Sequence, residues 1–267
     1  MTAPGSIDGI KEGAEGIDLQ EESSRGVLLL HGFGDTPQTF GLLAKHLHKA
    51  RFAVRAPLLP GHGRSIEVFT RSHRREWLAA AREELAALRK DHRSVGVGGL
   101  SMGGALATIL ASENSEVKAL VLIAPYLGMS FSYRVASMFH WVWGPLVGMR
   151  QSRPSDSILD PEEREKNLGH GVYTGRLLYE LWRLARDARR SLHAVTAPTL
   201  IMQSKSDPRV AESIAQQALE MLGAKDKKLV LVEGAGHILT VDYGRERVFE
   251  EIRRWLELYL PEEVAAD

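Results

Sequence analysis

The chain of 267 residues contains no cysteine, which excludes disulfide bonds, thiolate metal sites and a cysteine nucleophile. It also lacks an excess of charge of either sign, because 34 lysines and arginines balance 34 aspartates and glutamates. Nucleic acid is therefore not expected as the main partner, since binding to phosphates requires a local excess of basic residues. The absence of cysteine is compatible with a cytoplasmic location, which we predict.

Long apolar segments are missing as well. The most hydrophobic window, 135–149, contains His140 and Pro145 and is shorter than the ~20 residues that a transmembrane helix needs. Residues 1–20 have no basic start followed by an apolar stretch, so we predict no signal peptide. We expect no membrane span, but the apolar window leaves open a transient contact with lipid.

Short apolar runs alternate with helical patterns along most of the chain. Apolar residues follow one another within these runs and do not alternate with polar ones, which is typical of a parallel sheet covered on both faces. They comprise residues 27–31, 53–56, 95–98, 119–124, 199–202 and 228–232. Helical patterns cover residues 40–50, 75–90, 105–112, 210–222 and 245–259. This order predicts an α/β fold with a mostly parallel sheet flanked by helices.

One segment, residues 125–196, interrupts the alternation. About 75 residues separate the neighbouring apolar runs, whereas a crossover connection needs only about a dozen. The segment is rich in large apolar side chains, which a flexible linker lacks, and residues 175–194 have the pattern of an amphipathic helix. We therefore predict a helical cap at 125–196 and a core domain formed by 1–124 and 197–267.

The motif G-x-S-x-G occurs at Gly99-Leu100-Ser101-Met102-Gly103, between a predicted strand and a predicted helix. In that context small flanking residues allow a sharp turn that exposes the serine as a nucleophile. The alternative is a glycine-rich turn that only packs a helix against a strand. A dinucleotide-binding loop is excluded, because Ser101 stands where its third glycine is required.

A serine nucleophile needs a base and a group that orients the base. His237 and Asp207 each lie in a loop that follows a predicted strand, and the order Ser101, Asp207, His237 is that of a Ser…Asp…His triad. Because open α/β sheets place their sites at the carboxyl ends of strands, we expect the three to meet there. The alternatives are that Asp207 only caps the next helix and that His237 is a surface residue.

Two backbone N–H groups are expected to bind the oxyanion. The N–H of Met102, directly after the serine, is one of them, and the second is expected in the loop His31-Gly32-Phe33-Gly34-Asp35 after the first long apolar run. We predict the N–H of Phe33, whose ring would also line an acyl pocket. Asp35 is expected to cap the helix that follows.

These motifs resemble the α/β-hydrolase superfamily, and in particular its small bacterial carboxylesterases and monoacylglycerol lipases. The matching motifs are 30–33 (Leu-His-Gly-Phe), 60–63 (Pro-Gly-His-Gly), 99–103, Asp207 and 236–237 (Gly-His), so the resemblance covers nearly the whole chain. It implies a serine esterase with a helical cap between strands six and seven, and it assigns Phe33 and Met102 as oxyanion donors.

The expected reaction is hydrolysis of a small-molecule carboxylic ester with a short- or medium-chain acyl group, without metal or cofactor. Monoacylglycerols are one candidate class of substrate. Large cap residues are expected to contact substrate, with ordinary packing within the cap as the alternative: Tyr126, Met138, Trp141, Trp143 and Trp182. Alternative functions are thioester hydrolysis, carbon–carbon bond hydrolysis, perhydrolysis or non-catalytic ligand binding. We expect a monomer or a dimer.

Overall fold

The apolar runs form the strands of one sheet in a computed structural model that describes residues 9–151 and 157–262. Along the chain the strands are β1 (Ile17–Leu19), β2 (Arg25–Leu30), β3 (Ala53–Ala56), β4 (Ser94–Leu100), β5 (Val117–Ile123), β6 (Arg150–Gln151), β7 (Val172–Tyr173), β8 (Thr199–Ser204) and β9 (Lys227–Val232). Seven of them lie in the order β1-β3-β2-β4-β5-β8-β9, and β6 pairs with β7 in a separate two-stranded antiparallel sheet.

Every pair in the main sheet is parallel except β1 with β3. Strands β2 and β8 are buried along their whole length, because helices cover both faces of the sheet. The predicted α/β architecture with a mostly parallel sheet is therefore confirmed.

The helices form a layer on each face of the sheet. They are α1 (Gly41–Lys49), α2 (Ile66–Arg71), α3 (Arg74–Asp91), α4 (Met102–Glu113), α5 (Phe131–Met138), α6 (His140–Val147), α7 (Pro161–Lys166), α8 (Gly175–Ser191), α9 (Glu212–Met221) and α10 (Arg245–Tyr259). Buried side chains of α1 and α10 pack on one face. Those of α3, α4, α8 and α9 pack on the other, so two apolar cores enclose the sheet.

The insert lies between β5 and β8 and contains, in chain order, α5, α6, β6, α7, β7 and α8. Along the described chain it follows the fifth strand, not the sixth as the resemblance implied, because five strands of the main sheet are complete before it begins. The insert leaves the sheet at the carboxyl end of β5, which lies between β4 and β8.

Helix α8 belongs to the packing of the core. Its side chains Leu177, Leu181 and Leu184 are almost fully buried in the same apolar cluster as α3 and α4. The limits 125–196 for the cap stay a prediction. The contacts of α8 favour a shorter cap, which ends before Gly175.

Candidate active site

Ser101 occupies a tight turn between β4 and α4. Its φ of 54° and ψ of −112° are rare for a residue with a side chain, and such a conformation costs of order 1–3 kcal/mol. Glycines make the turn possible, because a Cβ at Gly103 would overlap the carbonyl of Leu30 and one at Gly99 would overlap the carbonyl of Gly103. The turn therefore has the strained strand-to-helix geometry expected of a nucleophile elbow.

Helix α4 begins directly after the serine, at Met102, three residues before the predicted start at Ala105. Met102 is fully buried, and its N–H lies in the first turn of the helix, where backbone N–H groups have no partner within the helix. The carbonyl of Ser101 accepts from Ala105 (3.3 Å) and from Tyr126 (3.0 Å), which ties the turn to the end of β5.

His237 and Asp207 are directly hydrogen-bonded, with 2.7 Å between His237 Nδ1 and Asp207 Oδ2. They lie in the loops after β9 and β8. A carboxylate on Nδ1 places the ring proton there and leaves Nε2 as the acceptor, the arrangement that a general base requires. Ser101 and His237 are both largely buried, with 8% and 7% of their surface exposed.

The Asp207 carboxylate is held from several sides. Its Oδ1 accepts from the N–H groups of Arg209 (2.7 Å) and Val210 (3.0 Å), and its Oδ2 accepts from Gln203 Nε2 (3.0 Å) as well as from His237. Burial raises the pKa of Asp207, but the hydrogen bond and charge of His237, together with the N–H groups of Val210 and Arg209, hold that pKa below its ordinary value. Asp207 therefore caps the following turn and orients the imidazole at the same time.

The three predicted triad residues share one edge of the sheet, because β4, β8 and β9 are parallel and each residue follows the carboxyl end of its strand. Gly32, after β2, adjoins the serine: a Cβ there would lie 3.6 Å from the Cβ of Ser101. The loop predicted to bind the oxyanion thus lies beside the predicted nucleophile. Their catalytic roles stay predictions.

Phe33 lies in this loop between Gly32 and Gly34. Its half-buried ring contacts Phe69 and Trp77, with ring centroids 5.2 and 6.1 Å away. The ring is therefore held against the core on one side, which fixes the backbone that carries the Phe33 N–H.

His31 connects the same loop to the backbone of Leu59 through its imidazole ring. Its Nδ1 donates to the carbonyl of Gly32 (2.9 Å) and its Nε2 accepts from the N–H of Leu59 (3.0 Å). Burial lowers the pKa of His31 to about 4, so the ring is neutral and acts as a fixed spacer.

Asp35 is a feature of the site that the sequence did not reveal. It was expected to cap a helix, but no side chain caps the short 3₁₀ helix Pro37–Phe40, and Asp35 points inward instead. Its Oδ1 accepts from the N–H of Thr36 (3.2 Å) and from Asn167 Nδ2 (3.3 Å). Burial raises the pKa of Asp35 to about 6, an effect that the hydrogen bonds from Asn167 and Thr36 and the charge of His237 partly offset.

Replacing Asp35 with asparagine is expected to stabilise the protein at neutral pH. A folded-state pKa of about 6 against an ordinary value of 3.8 means that the folded state binds the proton more tightly, so ionised Asp35 lowers stability as the pH rises through this window. The stability gain of Asp35→Asn should therefore grow by about 2 kcal/mol between pH 4 and pH 8. Urea unfolding of both proteins across this range measures it, and a gain that does not change with pH would contradict it.

The residues predicted to contact substrate lie in different environments. Tyr126 adjoins Ser101 through its backbone, whereas Met138 and Trp141 are 46% and 69% exposed. Trp143 donates from Nε1 to the carbonyl of Ala136 (2.6 Å), within the cap. Trp182 packs against Tyr179 and beneath the guanidinium of Arg186. Their contact with substrate stays a prediction.

A cavity of about 520 Å³ lies between α2, the α6 region and the start of α8. Its lining includes Ile66, Trp141, Met149 and Arg176, and it does not include the triad residues.

Among the described residues, none of the helices is both long and apolar enough to cross a bilayer.

Gln203 is a second residue that sequence reasoning missed. It is the penultimate residue of β8, is fully buried, and donates to Asp207 and to the carbonyl of Val210 (3.0 Å). A signal was present, because a glutamine at the end of an otherwise apolar strand must find polar partners inside the fold.

The chain has clear relatives among known hydrolases. It is 29% identical over 234 residues to a thermostable monoacylglycerol lipase of Bacillus sp. (strain H-257), which covers 86% of this chain and 89% of the relative. It is 24% identical over 235 residues to a carboxylesterase of Bacillus subtilis (strain 168), which covers 87% and 92%.

Solved structures of lipolytic enzymes are similar to this chain as well. A metagenome-derived lipolytic enzyme superposes with a TM-score of 0.85 at 26% identity, over 93% of this chain and 99% of the other. A monoacylglycerol lipase of Paleococcus ferrophilus, at 22% identity, shares the fold with a TM-score of 0.78 over 91% and 98%. The family model described as Hydrolase_4, serine aminopeptidase, S33, matches residues 21–243. The chain therefore belongs to this family of hydrolytic enzymes and has the α/β-hydrolase fold.

Proposed function

We propose that the protein is a serine esterase whose nucleophile, base and orienting acid are Ser101, His237 and Asp207. The observation that carries the proposal is the 2.7 Å hydrogen bond between His237 Nδ1 and Asp207 Oδ2, at the sheet edge where the elbow presents Ser101. A buried Asp–His pair at the same sheet edge as a serine in a strained strand-to-helix turn has the chemistry of acyl transfer.

The reaction proceeds in two steps. Ser101 Oγ bonds to the ester carbonyl carbon while His237 Nε2 takes the hydroxyl proton, and Asp207 stabilises the resulting imidazolium. The bond from carbon to the alcohol oxygen then breaks, and His237 returns the proton to the leaving alcohol. Water, deprotonated by His237, next attacks the acyl-enzyme and releases the carboxylic acid and Ser101.

The N–H groups of Met102 and Phe33 are the proposed oxyanion donors. Support comes from the position of Met102 at the start of α4, where a free N–H and the positive end of the helix dipole coincide. Phe33 lies in the loop that adjoins Ser101, held by the contacts of its ring. No metal or cofactor takes part in this scheme, and a cytoplasmic location and a monomeric or dimeric state stay predictions.

We propose a carboxylic ester with a short- or medium-chain acyl group as the substrate, including monoacylglycerols. Relatives that cover most of the chain carry the names monoacylglycerol lipase and carboxylesterase. Tyr126, beside Ser101, is the proposed substrate contact nearest the reaction, and the other proposed contacts are Met138, Trp141, Trp143 and Trp182.

A transient contact of the cap with lipid is part of this proposal. Large apolar side chains on and near α5 and α6 are half or more exposed: Phe131, Tyr133, Phe139, Trp141, Val142 and Met149. Exposed apolar patches of this kind mark interaction surfaces, and tryptophan and tyrosine favour the lipid–water interface.

The experiment compares p-nitrophenyl acetate, butyrate, octanoate and palmitate in solution with a monoacylglycerol embedded in phosphatidylcholine vesicles. The highest kcat/KM is expected for butyrate or octanoate. Phe131→Ser should lower activity on vesicles about tenfold, because burying one large apolar side chain contributes about 1.5–3 kcal/mol. It should leave the butyrate activity within about twofold, because Phe131 is 70% exposed and is not one of the proposed substrate contacts.

Leu258→Ser is the matched control, since Leu258 is 66% exposed on α10, outside the cap. It should change neither activity by more than about twofold. Inactivity on every ester, or activity confined to bulky aromatic acids, would end the ester proposal. Equal vesicle losses in the two variants would end the lipid contact alone.

A further inference from the structure

A fully buried carboxylate, Asp242, lies between the His237 loop and α10. It accepts four backbone N–H groups: Oδ2 from Gly236 (2.6 Å) and Leu159 (2.8 Å), and Oδ1 from Asp160 and Tyr243 (both 2.9 Å). Hydrogen bonds to an ionised acceptor are strong, and burial makes a lost partner costly. The carboxylate therefore fixes two chain segments that are about 80 residues apart in sequence.

The contacts continue along the backbone that carries His237. The N–H groups of His237 and Ile238 both donate to the carbonyl of Ser157, at 2.8 and 3.0 Å. Together with the bond from Gly236 to Asp242, three successive N–H groups around the predicted base are bound by fixed acceptors. The position of the imidazole thus depends on the insert residues 157–160 as well as on β9.

The same part of the insert reaches the other side of the site. After α7 the chain returns to the loop of Phe33, where Asn167 Nδ2 donates to Asp35 (3.3 Å) and the N–H of His170 donates to the carbonyl of Gly34 (2.7 Å). Residues 157–170 therefore contact both the histidine loop and the predicted oxyanion loop. We call this segment the brace.

We propose that Asp242 is a positioning residue for His237, acting through Gly236 and through the Ser157 end of the brace. The inference rests on the proposed role of His237 as the base. Asp242 bonds to backbone N–H groups, not to the imidazole, so its effect on the reaction is geometric. Proton transfer between Ser101 and His237 requires the donor and acceptor within hydrogen-bond reach, and small displacements of catalytic groups lower the rate steeply.

The test is Asp242→Asn, which keeps the shape of the side chain but turns an NH₂ group toward two of the four N–H donors. We expect kcat for p-nitrophenyl butyrate to fall ~10–100-fold with KM within about threefold, measured well below the Tm of the variant. A purely structural role would lower the Tm but leave the kcat of the folded enzyme unchanged.

Gly236→Ala perturbs the same contacts from the other side without a change of charge. A Cβ at Gly236 would lie 2.8 Å from the carbonyl oxygen of Ser157 and 3.0 Å from Asp242 Oδ2, so one of them must shift. This variant should show the same selective loss of kcat, by about tenfold. It keeps the proposal testable if Asp242→Asn does not fold.

Asp160→Asn is the matched control. The Asp160 side chain accepts from the N–H groups of Glu162 and Glu163 at the start of α7 and pairs with Arg245 at 3.7 Å. The variant therefore weakens the brace but keeps the backbone N–H that Asp160 donates to Asp242. Its kcat should stay within about twofold even if its Tm falls.

Ser101→Ala, measured alongside, distinguishes failure of the proposed function from failure of the role proposed for Asp242. If Ser101→Ala retains full activity, the proposed function fails. If Ser101→Ala is inactive while Gly236→Ala, together with any folded Asp242→Asn, keeps kcat within about twofold of the wild type, the role of Asp242 is overturned and the proposed function stands. A loss of kcat in Asp160→Asn equal to that in Asp242→Asn or Gly236→Ala would also overturn it.

Discussion

Replacing Ser101 with alanine is expected to lower kcat on p-nitrophenyl butyrate by ~10⁴-fold or more, because no other group in the proposed scheme forms the acyl-enzyme. Folding should be intact. The backbone bonds from Ser101 to the carbonyl of Ile123 and from Tyr126 to the carbonyl of Ser101 do not involve the hydroxyl. Steady-state kinetics and thermal unfolding of the purified variant test both parts.

A serine on the next helix provides the control for this substitution. Ser112, on α4, donates from its hydroxyl to the carbonyl of Ile109 (2.8 Å), away from the turn. Ser112→Ala should keep kcat within about twofold. If Ser101→Ala retains more than about a tenth of the wild-type kcat, a serine acyl-enzyme at this position is contradicted.

Asp207→Asn is expected to lower kcat by about 10⁴-fold through a change of tautomer. The two N–H groups of Arg209 and Val210 hold the amide oxygen at the present position of Oδ1, which turns the new NH₂ group toward His237 Nδ1. Nδ1 must then accept, so the ring proton moves to Nε2, and the base can no longer take a proton from Ser101. The loss is measured as kcat and KM over a range of pH, and the Tm of the variant shows whether it is folded.

Glu233→Gln removes a negative charge four residues before His237 and serves as the control. Glu233 is exposed and pairs with Lys205 at 2.7 Å, so the charge that is lost lies in solvent. Its kcat should stay within about twofold of the wild type. Equal losses in Glu233→Gln and Asp207→Asn would indicate a general charge effect instead of the proposed tautomer.

Local patterns in the sequence were enough to predict the sheet and the elbow. Strands β2, β4, β5 and β8 are mostly buried, and a strand buried on both faces leaves a continuous apolar run whatever its neighbours are. The glycines around Ser101 are equally local, because the close approach of Gly103 to the carbonyl of Leu30 requires glycine at that position.

Short elements were not predictable in the same way. Strand β1 has three residues, and its antiparallel pairing with β3 depends on a partner more than 30 residues away. The same holds for α2 and for the pieces of the insert, which are too short for a clear periodicity. Helix α8 had the expected amphipathic pattern, but the pattern does not say whether its apolar face packs on a cap or on α4.

The polar residues that surround the triad were the least accessible to sequence reasoning. Asp35 reads as a helix cap from its neighbours, and only the fold shows that it turns toward Asn167. Asp242 has no local motif at all, because two of its four donors come from the distant residues Leu159 and Asp160. Burial and long-range backbone contacts decide the roles of such carboxylates.

The most direct test of the account is to map the adduct that a fluorophosphonate forms with the folded, active enzyme. Digestion and mass spectrometry should find one adduct per chain, on Ser101, and His237→Ala should slow its formation by ~10³-fold or more, because the hydroxyl then lacks its base. An adduct on another residue, or full esterase activity after Ser101 has been shown to remain unmodified, would contradict the proposed nucleophile and its partners.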